Sequence, residues 1–360
     1  MARPSADRRA TADYETCRSL IRQGSKTFFA ASLLLPDDVR RSSYALYAFC
    51  RLSDDAVDAP DARRDAIDRL RDRLDSLYAG RPGPHAADRA FAELIDRVGL
   101  PRALPEALID GLSWDAEGRR YETLSDLRAY AARVAATVGA MMTVVMGVRD
   151  GATLARACDL GVAMQLTNIA RDVGEDARNG RVYLPLDWLS EEGLDPDAFL
   201  LEPRHDAAVA RLVARLLEAA EGLYERSAGG IAGLPLSCRP AIHAARLIYR
   251  EIGREIARNA HDSVNLRAYV PTSRKLTLLA AALAGAASTG RGMARDPLPE
   301  TRFLVEAAAQ AAGAAAVTGG AGPFQAVDDR IGWVIDLFGK IEERQHAAPA
   351  PADRDRALAP

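Results

Sequence analysis

In LGVAMQLTNIARDVGEDARNGRVYLP, residues 160–185, Asn168, Asp172 and Asp176 recur every fourth position on an otherwise apolar background. On an α-helix, residues four apart lie about 6 Å apart along the axis and share a face. Like charges at that spacing destabilise a helix by roughly 0.2–0.5 kcal/mol per pair, so something must offset the repulsion. The apolar period predicts a helix from about Thr153 to Asp176, and Asn179-Gly180 is a good C-terminal stop. This reading points to an all-α fold, because the same period recurs along most of the chain.

A second acidic row stands in CRLSDDAVD, where Asp54, Asp55 and Asp58 close an apolar run, YALYAFC. Pro36 and the residues after it predict a helix with acids in its first turn and Pro60 just past its end. Another begins after Ser125 with DLRAYAARVAATVGAMMTVVMG. Further helices are expected near 62–79, 86–98, 102–116, 205–228 and 238–261, with Pro/Gly breaks such as GRPGP between them. Only GRVYLP, at 180–185, has an alternation suited to a strand. Helices packed around a single interior are the simplest architecture.

The chain has 360 residues, 48% hydrophobic and 27% charged, with a formal net charge of -3. That is enough apolar material for a large core without covalent staples. Acidic and basic residues are interleaved, so no basic stripe exists for a nucleic acid. Cys17, Cys50, Cys158 and Cys238 are scattered, with no metal-ligand spacing, and read as buried free thiols in a reducing cytoplasm. The N-terminus carries no apolar signal region. The longest apolar run, 134–148, falls short of the ~20 residues that a membrane span needs. Residues 1–13 are expected to be flexible. The helical domain covers 14–290, and an Ala/Gly-rich extension covers 291–345, with a docking helix at 324–343. A disordered tail is expected over 346–360.

A solvated acidic face is the plain account of two aspartates four apart. Here the flanking residues are apolar, which favours a bound divalent cation instead. Mg²⁺ takes hard oxygen ligands, uses few protein carboxylates and leaves positions for substrate phosphate oxygens. Two such rows suit a diphosphate held between cations, whose charge assists departure of a pyrophosphate. Arg51 and Arg171 stand beside the two rows, and a guanidinium fork grips phosphate oxygens at two points. An intrahelical salt bridge is the competing account of either arginine.

At these residues the sequence resembles the squalene and phytoene synthase family. GSKTFFAASLLLP (24–36), YALYAFCRLSDDAVD (44–58), EGRRYETLSDLRAYAARVAATVG (117–139) and residues 160–185 carry the match, with a weaker fifth stretch, AARLIYREIGREI (244–256). The resemblance implies a terpenoid-synthase-like helical bundle around a central cavity, and head-to-head joining of two geranylgeranyl diphosphates through a cyclopropyl diphosphate to phytoene. It implies Mg²⁺, with Mn²⁺ as a substitute, held by Asp54, Asp58, Asp172 and Asp176 with help from Asn168. Ser25, Lys26, Tyr47, Arg51, Gln165, Asn168, Arg171 and Tyr249 would bind diphosphate, and Tyr130 would stand beside the reacting carbons. A tyrosine with a paired hydroxyl on a buried helix is the structural alternative for Tyr130.

Small residues along AARVAATVGAMM and LGVAMQ leave room for two lipid chains, as they also would for tight helix packing. Ser32, one turn below Phe28, favours a forty-carbon product over the thirty-carbon products of relatives with a bulkier residue there. Rival readings are a thirty-carbon head-to-head synthase using farnesyl diphosphate, a head-to-tail synthase or cyclase suggested by DDAVD, and a non-catalytic assembly protein. No NADPH is expected. The resemblance implies a lipid substrate and product as partners, and the insolubility of such a product suggests peripheral membrane contact.

Overall fold

The computed structural model describes residues 4–58, 63–286 and 295–310. The expected docking helix at 324–343 and the tail at 346–360 lie outside the described residues. Among those described, no residue forms a β-strand and every regular element is helical.

The first helix, α1, runs Pro4–Gly24 and so includes residues 4–13. Buried Asp13 accepts a 2.8 Å hydrogen bond from Arg89 Nε, and Cys17 and Ile21 enter the core on the same face. A short α2 (Lys26–Ser32) and the long α3 (Asp37–Asp58) follow. Next come α4 (Arg63–Tyr78), α5 (Ala86–Val98) and α6 (Ala103–Ala116).

The helix expected from Ser125 starts earlier, as α7 (Leu124–Ala131), because Thr123 and Asp126 form a reciprocal capping box. It then opens into a π-helical stretch, Ala132–Ala136, before α8 (Thr137–Val145). The central α9 spans Gly151–Arg178 and is capped by the Asp150 side chain at one end. At the other end Asn179 is the cap and Gly180, at φ +76°, the stop.

GRVYLP is not a strand. Its Val182 and Leu184 are buried, but no neighbouring strand is present among the described residues to complete a ladder. The following backbone instead donates from Leu186 and Asp187 to the carbonyls of Tyr121 and Glu122, at 2.9 and 3.0 Å. Short α10 (Leu186–Glu191) and α11 (Pro196–Leu201) lead to α12 (Ala207–Ser227), a 3₁₀ turn at Ala228–Gly233 and α13 (Arg239–Arg258). The described chain closes with α14 (Thr272–Gly285) and α15 (Arg302–Gln310).

α9 is the axis: α12, α13, α8, α15 and the π segment all pack on it, and its buried positions run from Thr153 to Ala177. The start of the Ala/Gly-rich extension contributes more apolar surface than its composition suggests, since Leu304, Val305 and Ala308 of α15 are buried. All four cysteines are free thiols; three are buried and Cys50 is partly so. No helix among the described residues is long and apolar enough to cross a membrane.

Candidate functional site

The face of α9 that meets the interior follows the i, i+3, i+4 pattern of one helix face: Thr153, Arg156, Ala157, Leu160, Gly161, Met164, Gln165 and Asn168 all line one cavity of about 320 Å³. Asp172 and Asp176 continue the same face one and two turns further on. On α3, Ser43, Leu46, Tyr47 and Cys50 line the cavity, and Arg51 and Asp54 continue that face. Each acidic row is therefore the polar extension of a lipophilic wall. The cavity completes itself with residues of α2, the π segment, α8 and α13, among them Phe28, Ser32, Val138 and Tyr249.

The two rows differ in shelter. The Asp54 side chain is 49% exposed, whereas that of Asp172 is 16% exposed. Arginines offset the carboxylate repulsion in this structure. Arg51 lies 2.6 Å from Asp55 and 3.9 Å from Asp54, the intrahelical pairing that competed with a phosphate role. Arg171 donates to both oxygens of Asp172, at 2.8 and 2.5 Å. Arg267, a residue the sequence reading missed, stands 3.1 Å from Asp172 and 2.8 Å from Glu175. It sits in an irregular loop, where no periodicity announces a functional side chain.

Asp176 has weaker compensation. Burial, then the neighbouring Asp172 charge, pushes its carboxyl up to about 7, with Arg181 pulling the other way. Asn168 Oδ1 is buried and has no hydrogen-bond partner. A buried hard oxygen without a donor and a carboxylate raised by its neighbour suit a divalent cation, which would satisfy both. Among the described residues, no three His, Cys, Asp or Glu side chains converge as a ready cation site. The side chain of Asp58, which belongs to the expected set, lies outside the described part, as does that of Lys26.

Tyr47, Gln165, Asn168 and Tyr249 line the cavity. Tyr249 stacks on Phe28 with ring centroids 5.2 Å apart, and burial pushes its phenol up to about 12 against the pull of Arg171. Ser25 caps α2, its hydroxyl accepting from Phe28 N at 3.2 Å.

Tyr130 is not among the cavity-lining residues. Its hydroxyl donates to Asp115 Oδ2 at 2.8 Å, and Tyr183 donates to Oδ1 of the same carboxylate at 2.8 Å. Their rings stack at 5.3 Å, and burial drives both phenols well up. The Asp115 charge also reaches Asp176. Asp115 was missed in the sequence, yet a signal was there: a carboxylate in the last turn of α6 opposes the helix dipole and needs another reason to be present.

The squalene/phytoene synthase family model matches residues 21–275. The phytoene synthase of Cereibacter sphaeroides is 55% identical over 317 residues, covering 84% of this chain and 89% of its own. That of Rhodobacter capsulatus is 53% identical over 308 residues, covering 83% and 91%. Among solved structures, a dehydrosqualene synthase in complex with ligand superposes with a TM-score of 0.69 at 31% identity, covering 76% of this chain and 96% of that one. The chain belongs to the squalene/phytoene synthase family.

Proposed function

We propose that this family member joins two molecules of geranylgeranyl diphosphate head to head, through a cyclopropyl diphosphate, to give phytoene and two diphosphates. Its relatives at more than half identity are named phytoene synthases, and the chain is a prenyl transferase. The observation that carries the reading is the continuity of the apolar cavity face of α9 into Asn168, Asp172 and Asp176. A long hydrocarbon tail and a diphosphate head need that sequence of surroundings.

Enzymes of this kind use prenyl diphosphates and generally depend on a divalent metal. Mg²⁺, with Mn²⁺ as a substitute, is our assignment, held by Asp54, Asp58, Asp172 and Asp176 with Asn168. When bound, the cation supplies charge neutralisation to the departing diphosphate.

The chain's own groups do the rest. Arg171 and Arg51 turn from their carboxylates to phosphate oxygens, joined by Ser25, Lys26, Tyr47, Gln165 and Tyr249. The largely apolar cavity wall disfavours water beside a carbocation, and burial, which pushes the Cys50 thiol up to about 12, keeps that side chain from acting as a thiolate nucleophile. Tyr130, held by Asp115 beside Tyr183, is assigned a proton relay behind the cavity wall: its phenol gives a proton toward the departing diphosphate and is restored by the proton that the carbocation loses. A forty-carbon hydrocarbon has no favourable state in water, which supports peripheral membrane contact.

The test is chromatography of the hydrocarbon made by purified protein from geranylgeranyl or farnesyl diphosphate, with Mg²⁺, with and without NADPH. A forty-carbon hydrocarbon formed without reductant is expected. A thirty-carbon product alone, or none, overturns the reading.

A further inference from the structure

Arg156 is fully buried, yet it lines the cavity at the end away from the acidic rows. Its Nη1 donates to Arg295 O at 2.9 Å and its Nη2 to Asp296 O at 3.2 Å. Its Nε lies 2.8 Å from buried Asp159. With the guanidinium so engaged, the part of Arg156 left to face the cavity is its aliphatic stem. Arg226 strengthens the arrangement, reaching Asp159 at 3.2 Å and Asp296 O at 2.9 Å. Residues 295–296 are thus tied behind the cavity wall from two sides, and they do not line it.

The opposite side of this end is equally closed. Gly230 packs its backbone against Arg156 so tightly that an added Cβ would stand 2.2 Å from Arg156 Cβ. Ile231, Leu234 and Thr153 complete the floor.

We propose that Arg156 is the depth stop of the cavity, a specificity-determining residue that admits a twenty-carbon prenyl chain and rejects a twenty-five-carbon one. This rests on the reading of the cavity as a prenyl-chain site. From Asn168 to Arg156 is twelve residues of α9, about 18 Å along the axis, and to Thr153 about 22 Å. A geranylgeranyl tail has a main chain of about sixteen carbons, and with bonds of ~1.5 Å foreshortened by the zigzag it extends roughly 20 Å. One further isoprene unit runs into a floor whose guanidinium is held by an ion pair and two carbonyls and cannot turn aside.

The experiment measures binding of inert thiolodiphosphate analogues with fifteen-, twenty- and twenty-five-carbon chains to wild-type, Arg156→Ala and Arg156→Lys proteins. It also measures kcat/KM for the twenty- and twenty-five-carbon diphosphates. The wild type should bind the twenty-five-carbon analogue at least about tenfold more weakly than the twenty-carbon one. Arg156→Ala should bring the two within about threefold in both binding and kcat/KM, while Arg156→Lys, which keeps the stem and the charge, retains the preference. Equal binding of the two chains by the wild type overturns the proposal, as does an unchanged preference in folded Arg156→Ala. If Arg156→Ala fails to fold, Ile231→Ala deepens the same floor without touching the ion pair and must shift the preference the same way. A wild type that makes no forty-carbon product defeats the functional reading instead, so the two failures are distinct.

Discussion

Gly174 lies flat against Val264: a Cβ added at Gly174 would stand 2.3 Å from Val264 O, and Gly174 N donates to Ser263 O at 3.0 Å. The glycine between Asp172 and Asp176 therefore exists for close approach. It lets the loop that carries Arg267 rest on the acidic row. Gly174→Ala must lift that loop, at about 1–3 kcal/mol of overpacking. Thermal melting should show the loss, and kcat/KM should fall with it. An unchanged melting temperature would mean that the loop is not held there.

Asp176 places an uncomfortable charge in the fold. Its folded value of about 7 lies above the 3.8 of an unperturbed aspartate, chiefly through burial and then Asp172. Its contribution to stability is therefore complete below about pH 4 and is lost as pH rises through 7. Without divalent cation, Asp176→Asn should melt higher than the wild type at pH 8, show no difference near pH 3.5, and lack activity with cation present. A lower melting temperature at pH 8 would contradict this account.

Glu251 behaves in the opposite sense. Burial alone would raise its carboxyl, but hydrogen bonds from Arg274, Arg258 and Arg254 at 2.9–3.1 Å outweigh it and hold the group at about 2. The side chain is fully buried and ties α13 to α14. Its stabilisation is present above pH 4.5 and lost as pH falls toward 2, on the order of 3 kcal/mol. Acid denaturation should steepen in that window, and Glu251→Gln should flatten it while lowering stability at pH 7.

Tyr130→Phe keeps the ring stack with Tyr183 and the tilted contact with Tyr121 and removes only the hydroxyl that donates to Asp115. If the phenol moves a proton, kcat should drop by roughly 10²–10⁴ with KM little changed. A loss of stability with kcat intact would assign the hydroxyl to structure alone.

Ser32 lines the cavity, its hydroxyl donating to Phe29 O at 2.6 Å. Ser32→Phe fills the space one turn below Phe28 and should reduce forty-carbon output relative to thirty-carbon output, read by chromatography of the products. Unchanged forty-carbon output would remove Ser32 from chain-length control.

Much of this protein is determined locally and so was legible in order along the chain. The 3.6-residue period, the cap at Asp150 and the stop at Asn179-Gly180 set α9, because helix formation depends on neighbours three and four positions away. The same spacing put Asn168, Asp172 and Asp176 on the face that continues the cavity wall. What only the tertiary structure decided involves partners far apart in sequence: Arg267 on Asp172, Asp115 between Tyr130 and Tyr183, and Arg156 tied to residues 295–296. These are single polar contacts across loops and helix ends, where no period repeats and the partner is chosen by packing. The same physics explains why GRVYLP alternates like a strand yet is none: a ladder needs a second strand, and none stands beside it among the described residues.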